Sequence, residues 1–114
     1  MRIIAGEFRS RRLKTLPGDN TRPTLDKVRE SFFHKIGPYF QDGLALDLYG
    51  GSGAVGLEAL SRGIEQVYFS EISKPALSVI RENIRALGVE QRSTVLAMSD
   101  LKALRICKER ELQF

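Results

Sequence analysis

Apolar residues along the chain follow two spacings, one typical of buried strands and one typical of amphipathic helices. Short apolar runs predict three buried strands, at 44–48, 66–70 and 94–97. After each run, apolar side chains recur every three or four residues, which predicts helices at about 54–62, 74–87 and 101–108. Strands that alternate with helices through short links favour a parallel sheet with right-handed crossovers. The predicted fold class is therefore α/β.

The N-terminal third of the chain carries a different pattern. Loose alternation of apolar and basic residues over 2–16 predicts a two-stranded ribbon that bends near Gly6. Thr24 is the predicted N-cap of a helix that ends before Gly37-Pro38. Its predicted apolar face consists of Leu25, Val28, Phe32 and Ile36. We divide the chain into a basic arm, 1–22, and an α/β domain, 23–114.

Capping signals mark the predicted helices of the α/β domain. Glu58 and Arg62 are spaced i,i+4 on the first of them, which predicts an ion pair, and Gly63 is its expected C′ residue. Ser73 is a predicted N-cap for the next helix, and Gly88 is expected to end it. These signals set the helix boundaries independently of the apolar spacing.

A glycine-rich turn follows the first predicted strand. Residues 51–56, Gly-Ser-Gly-Ala-Val-Gly, fit the dinucleotide-binding fingerprint, although a plain tight turn has the same composition. Asp47 lies at the carboxyl end of the strand, where open α/β sheets bind ligands. Glu71 lies 18 residues after Gly53, near the spacing at which a carboxylate contacts ribose hydroxyls. Together these residues predict a nucleoside-binding pocket.

The net charge of the chain is concentrated in the arm. Residues 1–22 contain six basic and two acidic side chains, which accounts for the whole net charge of +4. Clustered arginine with little acid nearby is typical of a contact with a nucleic-acid backbone, although a solvated basic tail has the same composition. The candidate RNA-binding residues are Arg9, Arg11, Arg12, Lys14 and Arg22.

Composition excludes several other classes of protein. No apolar run approaches the ~20 residues of a membrane span, and the N-terminus lacks a signal-peptide core. Cys107 is the only cysteine and His34 the only histidine, so the sequence predicts no intramolecular disulfide and no metal site. We expect a cytoplasmic protein.

Two signatures resemble those of a known family. The first is Asp-Leu-Tyr-Gly-Gly-Ser-Gly at 47–53, followed by Gly-Leu-Glu-Ala-Leu-Ser-Arg-Gly at 56–63. The second combines Gly6 and Arg11-Arg12-Leu13 with the segment 22–30. The chain resembles the N-terminal portion of the RsmD-type bacterial 16S rRNA guanine-N2 methyltransferases. The resemblance implies a class I (Rossmann-like) methyltransferase sheet that is incomplete after the third strand, and S-adenosyl-L-methionine as cofactor.

The resemblance also assigns cofactor contacts. It places Asp47 and the glycine turn against the methionine and ribose portions of the cofactor, and Glu71 against the ribose hydroxyls. Ile72 and Leu101 are expected to flank the adenine, and Asp100 to lie near its amine. The complete implied set is Asp47, Tyr49, Gly51, Ser52, Gly53, Glu71, Ile72, Asp100 and Leu101.

The family's catalytic motif has no counterpart in this sequence. That motif, Asn or Asp followed by Pro-Pro and an aromatic residue, is expected after a fourth strand, and the sequence contains no Pro-Pro pair. The resemblance therefore assigns no catalytic residue here and places the motif beyond Phe114. We expect the 114-residue chain alone to transfer no methyl group. Its first strand is expected to be a sheet edge, so that the chain alone is either marginally folded or associates through that edge.

Two other functions fit parts of the sequence. The glycine turn is compatible with an oxidoreductase that binds NAD or FAD, and the arm is compatible with a non-catalytic RNA-binding fragment. A sulfonium cofactor has no pyrophosphate, so a turn flanked by the acids Asp47 and Glu71 suits it better than it suits a dinucleotide. We therefore favour methylation of a guanine amine in ribosomal RNA, free or within the assembling small subunit.

Overall fold

The computed structural model describes residues 1–16, 23–37, 39–47 and 52–110, excepting the side chains of 23–26 and 100. Strands and helices alternate in the predicted order, with a single 3₁₀ turn before the last strand. They are α1 (Pro23–Ile36), β1 (Leu44–Asp47), α2 (Ala54–Ser61), β2 (Gln66–Ser70), α3 (Lys74–Leu87), β3 (Ser93–Leu96) and α4 (Asp100–Glu109). No helix in these segments is both long and apolar enough to cross a bilayer.

The strands form a parallel sheet in the order β1-β2-β3, as the alternating pattern predicts. Leu44 lies opposite Gln66 in the first pair, and Val67 lies opposite Ser93 in the second. β1 is therefore an edge strand among the described strands, with β2 on one side.

Helices cover both faces of the sheet. Successive side chains of a strand point to opposite faces, so Phe69 and Tyr68 belong to different layers. Phe69 packs in a buried cluster with Leu57 of α2 and Ile80 of α3. Tyr68 packs against a second cluster that contains Ala103 of α4. α2 and α3 thus lie on one face, and α4 lies on the other.

The predicted capping signals of α2 and α3 are confirmed. The Ser73 hydroxyl accepts a hydrogen bond from the amide of Ala76, and Gly88 ends α3 with a φ of 69°. Glu58 and Arg62 form the predicted ion pair, with 2.8 Å between Oε2 and Nε. The predicted N-cap of α1 is wrong, because the helix begins at Pro23, whose fixed φ suits the first turn of a helix. Thr24 therefore lies inside the first turn, and the helix starts two residues earlier than predicted.

The described side chains on the predicted apolar face of α1 are exposed to solvent, and that of Leu25 lies outside the described residues. Val28, Phe32 and Ile36 are 62%, 50% and 53% exposed, whereas Arg29 and Phe33 are buried. The neighbouring face is buried because Arg29 reaches the carboxylate of Glu58 on α2. The apolar spacing locates the helix correctly, but it does not identify the buried face.

The predicted ribbon is present but short, and it packs on α2 and α3. Its two segments pair through an antiparallel bridge between Arg2 and Arg12 and through backbone hydrogen bonds on either side of it. Nearer the bend, the amides of Ile4 and Ala5 donate to Glu58. Ile3 belongs to the same buried cluster as α2 and α3.

Gly6 allows the arm to approach the end of α2. Its φ is 92°, and a Cβ atom there would lie 1.9 Å from the carbonyl oxygen of Ser61. The amide of Glu7 donates to that carbonyl oxygen at 2.8 Å. Only glycine fits this close approach without displacing backbone.

Candidate functional site

The carboxyl ends of the strands bring the predicted acids to one edge of the sheet. Asp47 is the last residue of β1 and lies opposite Phe69 in β2. Glu71 follows β2 directly, and its amide donates to the carbonyl of Leu96, the last residue of β3, at 3.1 Å. This edge is where open α/β sheets bind their ligands.

Asp47 is hydrogen-bonded to the start of α2. Its Oδ2 accepts the amide N–H of Gly56 at 3.1 Å. The amide groups at a helix N-terminus are the usual ligands of a pyrophosphate. Here the amide of Gly56 already donates to Asp47, and this carboxylate also places negative charge at the start of the helix. The arrangement suits a cationic sulfonium cofactor better than it suits a dinucleotide.

The glycines of the turn have two separate roles. Gly53 lies in the left-handed region, with a φ of 82°, and precedes α2. Gly56 lies inside the helix, where a Cβ atom would be 2.3 Å from Cε1 of Phe69 and 2.9 Å from Cγ1 of Val67. Gly53 therefore shapes the turn, and Gly56 permits α2 to pack closely on β2.

Glu71 is oriented by its own backbone neighbours. Its Oε2 accepts the amide hydrogens of Ile72 and Ser73, each at 2.9 Å. These two bonds hold the carboxylate at the sheet edge, where a ribose diol could contact it. Ile72, the next residue, is 67% exposed.

The segment that follows β3 is held in place by a second set of local hydrogen bonds. The Ser70 hydroxyl donates to the carbonyl of Met98 at 3.0 Å. Ser99 caps α4, since its hydroxyl accepts the amide N–H of Lys102 at 3.3 Å. Asp100 begins this helix, and Leu101 is 74% exposed. Ile72 and Leu101 are thus exposed apolar side chains that follow adjacent strands.

Most of the predicted cofactor residues lie along this edge. Asp47 and Glu71 end or follow strands, and Ser52 and Gly53 lead into α2. Ser52 is buried. Tyr49, Gly51 and the predicted RNA contact Arg22 lie outside the described residues.

Asn83 is a residue of this region that the sequence did not reveal. Its side chain is 3% exposed, and its Oδ1 accepts the amide N–H of Lys14 at 2.7 Å. Its Nδ2 donates to the carbonyls of Lys14 and Ser52, at 2.9 Å each. A signal was present, because Asn83 is a polar residue beside the apolar positions Ile80 and Ile84 of α3.

The basic side chains of the arm have different surroundings. Arg9 and Arg12 are exposed. Arg11 donates from Nη2 to the carbonyl of Ala86 at 2.8 Å. Lys14 forms an exposed ion pair with Glu82, with 2.9 Å between Nζ and Oε2. The arm therefore lies along α3, and all four bases are at the surface.

A fully buried carboxylate joins the arm to α1 and α2. Glu58 is 0% exposed and accepts the amides of Ile4 and Ala5 at 2.9 and 3.1 Å. It also pairs with Arg62 at 2.8 Å and with Arg29 at 3.4 Å. Two cations and two amides thus compensate one buried charge. Among the described residues, no cluster of His, Cys, Asp and Glu could hold a metal ion.

Comparison with known proteins gives consistent matches along the chain. The family described as Conserved hypothetical protein 95 matches residues 1–114. The YlbH protein of Bacillus subtilis is 42% identical over all 114 residues, and ribosomal RNA small subunit methyltransferase D of Haemophilus influenzae is 37% identical over 106. The solved structure of the yhhF protein of Escherichia coli has a TM-score of 0.79 at 34% identity, over 91% of this chain and 56% of that chain.

The matched relatives are longer than this chain. It spans 62% of YlbH and 55% of the Haemophilus influenzae enzyme, and 100% and 92% of its own length take part in these matches. The parallel sheet has the class I methyltransferase fold of its structural neighbours. The chain belongs to the Conserved hypothetical protein 95 family, the RsmD-type family that its two signatures resemble.

Proposed function

We propose that this chain provides the cofactor-binding half and the RNA-contacting arm for S-adenosylmethionine-dependent methylation of a guanine N2 amine in small-subunit rRNA. The hydrogen bond between Asp47 and the amide of Gly56 is the observation that carries the proposal. It places a carboxylate where a dinucleotide-binding protein would hold a pyrophosphate. The names of the curated relatives supply the substrate class.

Each cofactor residue has a proposed role that follows from its position. Asp47 would place negative charge near the sulfonium and methionine portion. Glu71, whose Oε2 is fixed by two amides, would accept hydrogen bonds from the ribose hydroxyls. Ile72 and Leu101 would cover the adenine with apolar surface that is exposed in the structure. Such contacts bind and orient the cofactor but do not themselves react.

The arm would bind the RNA backbone. Arg9 and Arg12 are exposed cations, and Arg11 and Lys14 lie beside them along α3. Phosphate contacts of this kind give affinity that falls steeply with salt but carries no sequence information. The choice of nucleotide would therefore depend on other contacts.

The chemistry requires little from this chain beyond positioning. S-adenosylmethionine supplies an electrophilic methyl group when it is bound. The residues described here would hold the cofactor in one orientation and the RNA nearby, which lowers the entropic cost of reaction. The family resemblance implies that the residues accepting the amine's hydrogen bonds belong to a Pro-Pro motif, and this sequence contains no Pro-Pro pair. We therefore expect the chain alone to bind both partners without transferring methyl groups.

Titration calorimetry with S-adenosylhomocysteine, NAD⁺ and FAD tests the cofactor assignment. We expect binding of S-adenosylhomocysteine alone, and tighter binding of either dinucleotide would contradict the proposal. Incubation with tritiated S-adenosylmethionine and small-subunit rRNA tests catalysis separately. N2-methylguanine in the product would support the guanine assignment but overturn the expectation that the chain is inactive.

We further propose that two copies associate through the edge of β1 that lies away from β2. A cleft of about 260 Å³ lies between α1 and this strand and is lined by apolar side chains that include Phe32, Ile36 and Leu44. An exposed strand edge beside apolar surface is a template for pairing with another chain.

A function in rRNA methylation would place the protein in the cytoplasm.

A further inference from the structure

The arm and the turn that leads into α2 share one buried side chain. Here the turn between β1 and α2 is called the cofactor turn, and Ser52 and Gly53 are its described residues. Asn83 lies on α3 between this turn and the arm. Its Nδ2 donates to the Ser52 carbonyl, and the same amide group bonds to both the N–H and the C=O of Lys14.

The three hydrogen bonds use the side-chain amide in one orientation only. The nitrogen offers two hydrogens, and each has a carbonyl partner, while the oxygen faces an N–H. A flipped amide would place like groups against each other at all three positions. Asn83 is also 3% exposed, so water does not readily replace a lost partner. Movement of the Lys14 backbone would therefore disturb the bond to Ser52.

A second contact joins the same two regions. The Ser52 hydroxyl lies 3.9 Å from the sulfur of Met1, and the carbonyl of Met1 accepts the amide N–H of Leu13 at 2.8 Å. Met1 thus contacts the cofactor turn directly, and Lys14, on the other segment of the arm, contacts it through Asn83. Ser52 belongs to the expected cofactor set and Lys14 to the expected RNA set, but Asn83 binds only backbone atoms of both. The Lys14 side chain pairs with Glu82 instead.

We propose that Asn83 is a positioning residue that couples the arm to the cofactor turn, so that RNA on the arm and cofactor at the turn strengthen each other's binding. This inference rests on the proposed function. RNA that orders the Lys14 backbone would fix the Asn83 amide, and the amide would fix the carbonyl of Ser52. By thermodynamic linkage, the cofactor would strengthen RNA binding by the same factor.

The test measures the affinity for S-adenosylhomocysteine with and without a saturating transcript of small-subunit rRNA. For the wild-type chain we expect RNA to tighten this affinity by about fivefold or more. Asn83→Asp keeps the size and an acceptor for Lys14 but removes both donated bonds. We expect it to bind each ligand alone but to lose most of the coupling.

A second pair of variants avoids the buried position. Lys14→Pro removes the N–H that Asn83 accepts and should also abolish the coupling, even if Asn83→Asp fails to fold. Lys14→Ala keeps that N–H, so it should retain the coupling at saturating RNA although it weakens RNA binding. Coupling retained in Lys14→Pro, or absent in a wild-type chain that binds both ligands, would overturn the inference. A wild-type chain that binds neither ligand would instead overturn the proposed function, and the inference with it.

Discussion

The ring of Phe69 packs against Gly56 so closely that a Cβ atom on the glycine would lie 2.3 Å from Cε1. Gly56→Ala should therefore push α2 away from β2, at a cost of about 1–3 kcal/mol of unfolding free energy. It should also move the Gly56 amide from Asp47 and weaken S-adenosylhomocysteine binding roughly tenfold, because a charged hydrogen bond is lost. Urea unfolding and calorimetry measure the two effects.

Gly88→Ala is the matched control for this substitution. Gly88 also has a structural role, but a Cβ atom there would meet no atom of the described residues within 4 Å, apart from the adjoining backbone. Gly88→Ala should lower the unfolding free energy by about 1–2 kcal/mol, because alanine is strained in the left-handed region. It should leave cofactor binding unchanged. If Gly56→Ala binds S-adenosylhomocysteine as tightly as the wild type does, the close packing of Gly56 on Phe69 does not support the cofactor site.

Removing the charge of Glu58 should destabilise the whole chain. Glu58→Gln leaves Arg29 and Arg62 buried beside a neutral amide, and breaking a buried ion pair in this way costs about 3–5 kcal/mol. Glu65→Gln, at an exposed position, should change the unfolding free energy by less than about 0.5 kcal/mol. Equal midpoints for the two variants in urea would contradict the importance of the buried carboxylate.

Cofactor affinity should depend on Glu71. Glu71→Ala removes an oriented carboxylate whose charged hydrogen bonds to a ribose diol contribute roughly 1.5–3 kcal/mol each. We expect at least about tenfold weaker binding of S-adenosylhomocysteine in titration calorimetry. Glu65→Ala, on the loop before β2, should bind as the wild type does. The ribose assignment fails if the two variants lose affinity equally.

RNA affinity should depend on the charge of the arm. Replacing Arg9, Arg11, Arg12 and Lys14 by alanine should reduce the slope of log affinity against log salt by about 3–4 units, because each phosphate contact contributes nearly one. Cofactor binding should persist. A control variant with four exposed bases of α4 and its C-cap replaced, Lys102, Arg105, Lys108 and Arg110, should keep the slope. Equal slopes for the two variants would support a solvated tail.

Self-association should depend on the apolar face of α1. Ile36→Lys places a charge at a 53% exposed position in the cleft beside β1 and should shift sedimentation toward the monomer. Leu104→Lys, at a 45% exposed position on α4, should leave the distribution unchanged. A wild-type chain that is monomeric at all concentrations would rule out the interface.

The sequence predicted those features that depend on local chemistry. The alternation of strands and helices, the Ser73 cap, the end of α3 at Gly88 and the Glu58–Arg62 pair are each determined by spacing within a few residues. The carboxyl-edge position of Asp47 and Glu71 followed from the parallel order of the strands. Such features need no knowledge of distant contacts.

Features that depend on distant contacts could not be predicted in this way. Arg29 is buried because Glu58, 29 residues later, lies next to it, so the apolar spacing of α1 indicated the wrong face for burial. The amides of Ile4 and Ala5 leave the pairing of the arm's ribbon and donate to the same carboxylate. Asn83 acquires its role only when the arm packs on α3.

The attachment of the arm to Glu58 also affects how fast the amides of the arm exchange their hydrogens with solvent. The amides of Ile4 and Ala5 cannot exchange with solvent unless the fully buried carboxylate of Glu58 loses these two hydrogen bonds. Their hydrogen exchange should therefore be as slow as that of the β2 amides, and both should be governed by global unfolding. The ends of a folded chain usually exchange fastest, but these two amides should exchange with the most protected unit of the fold.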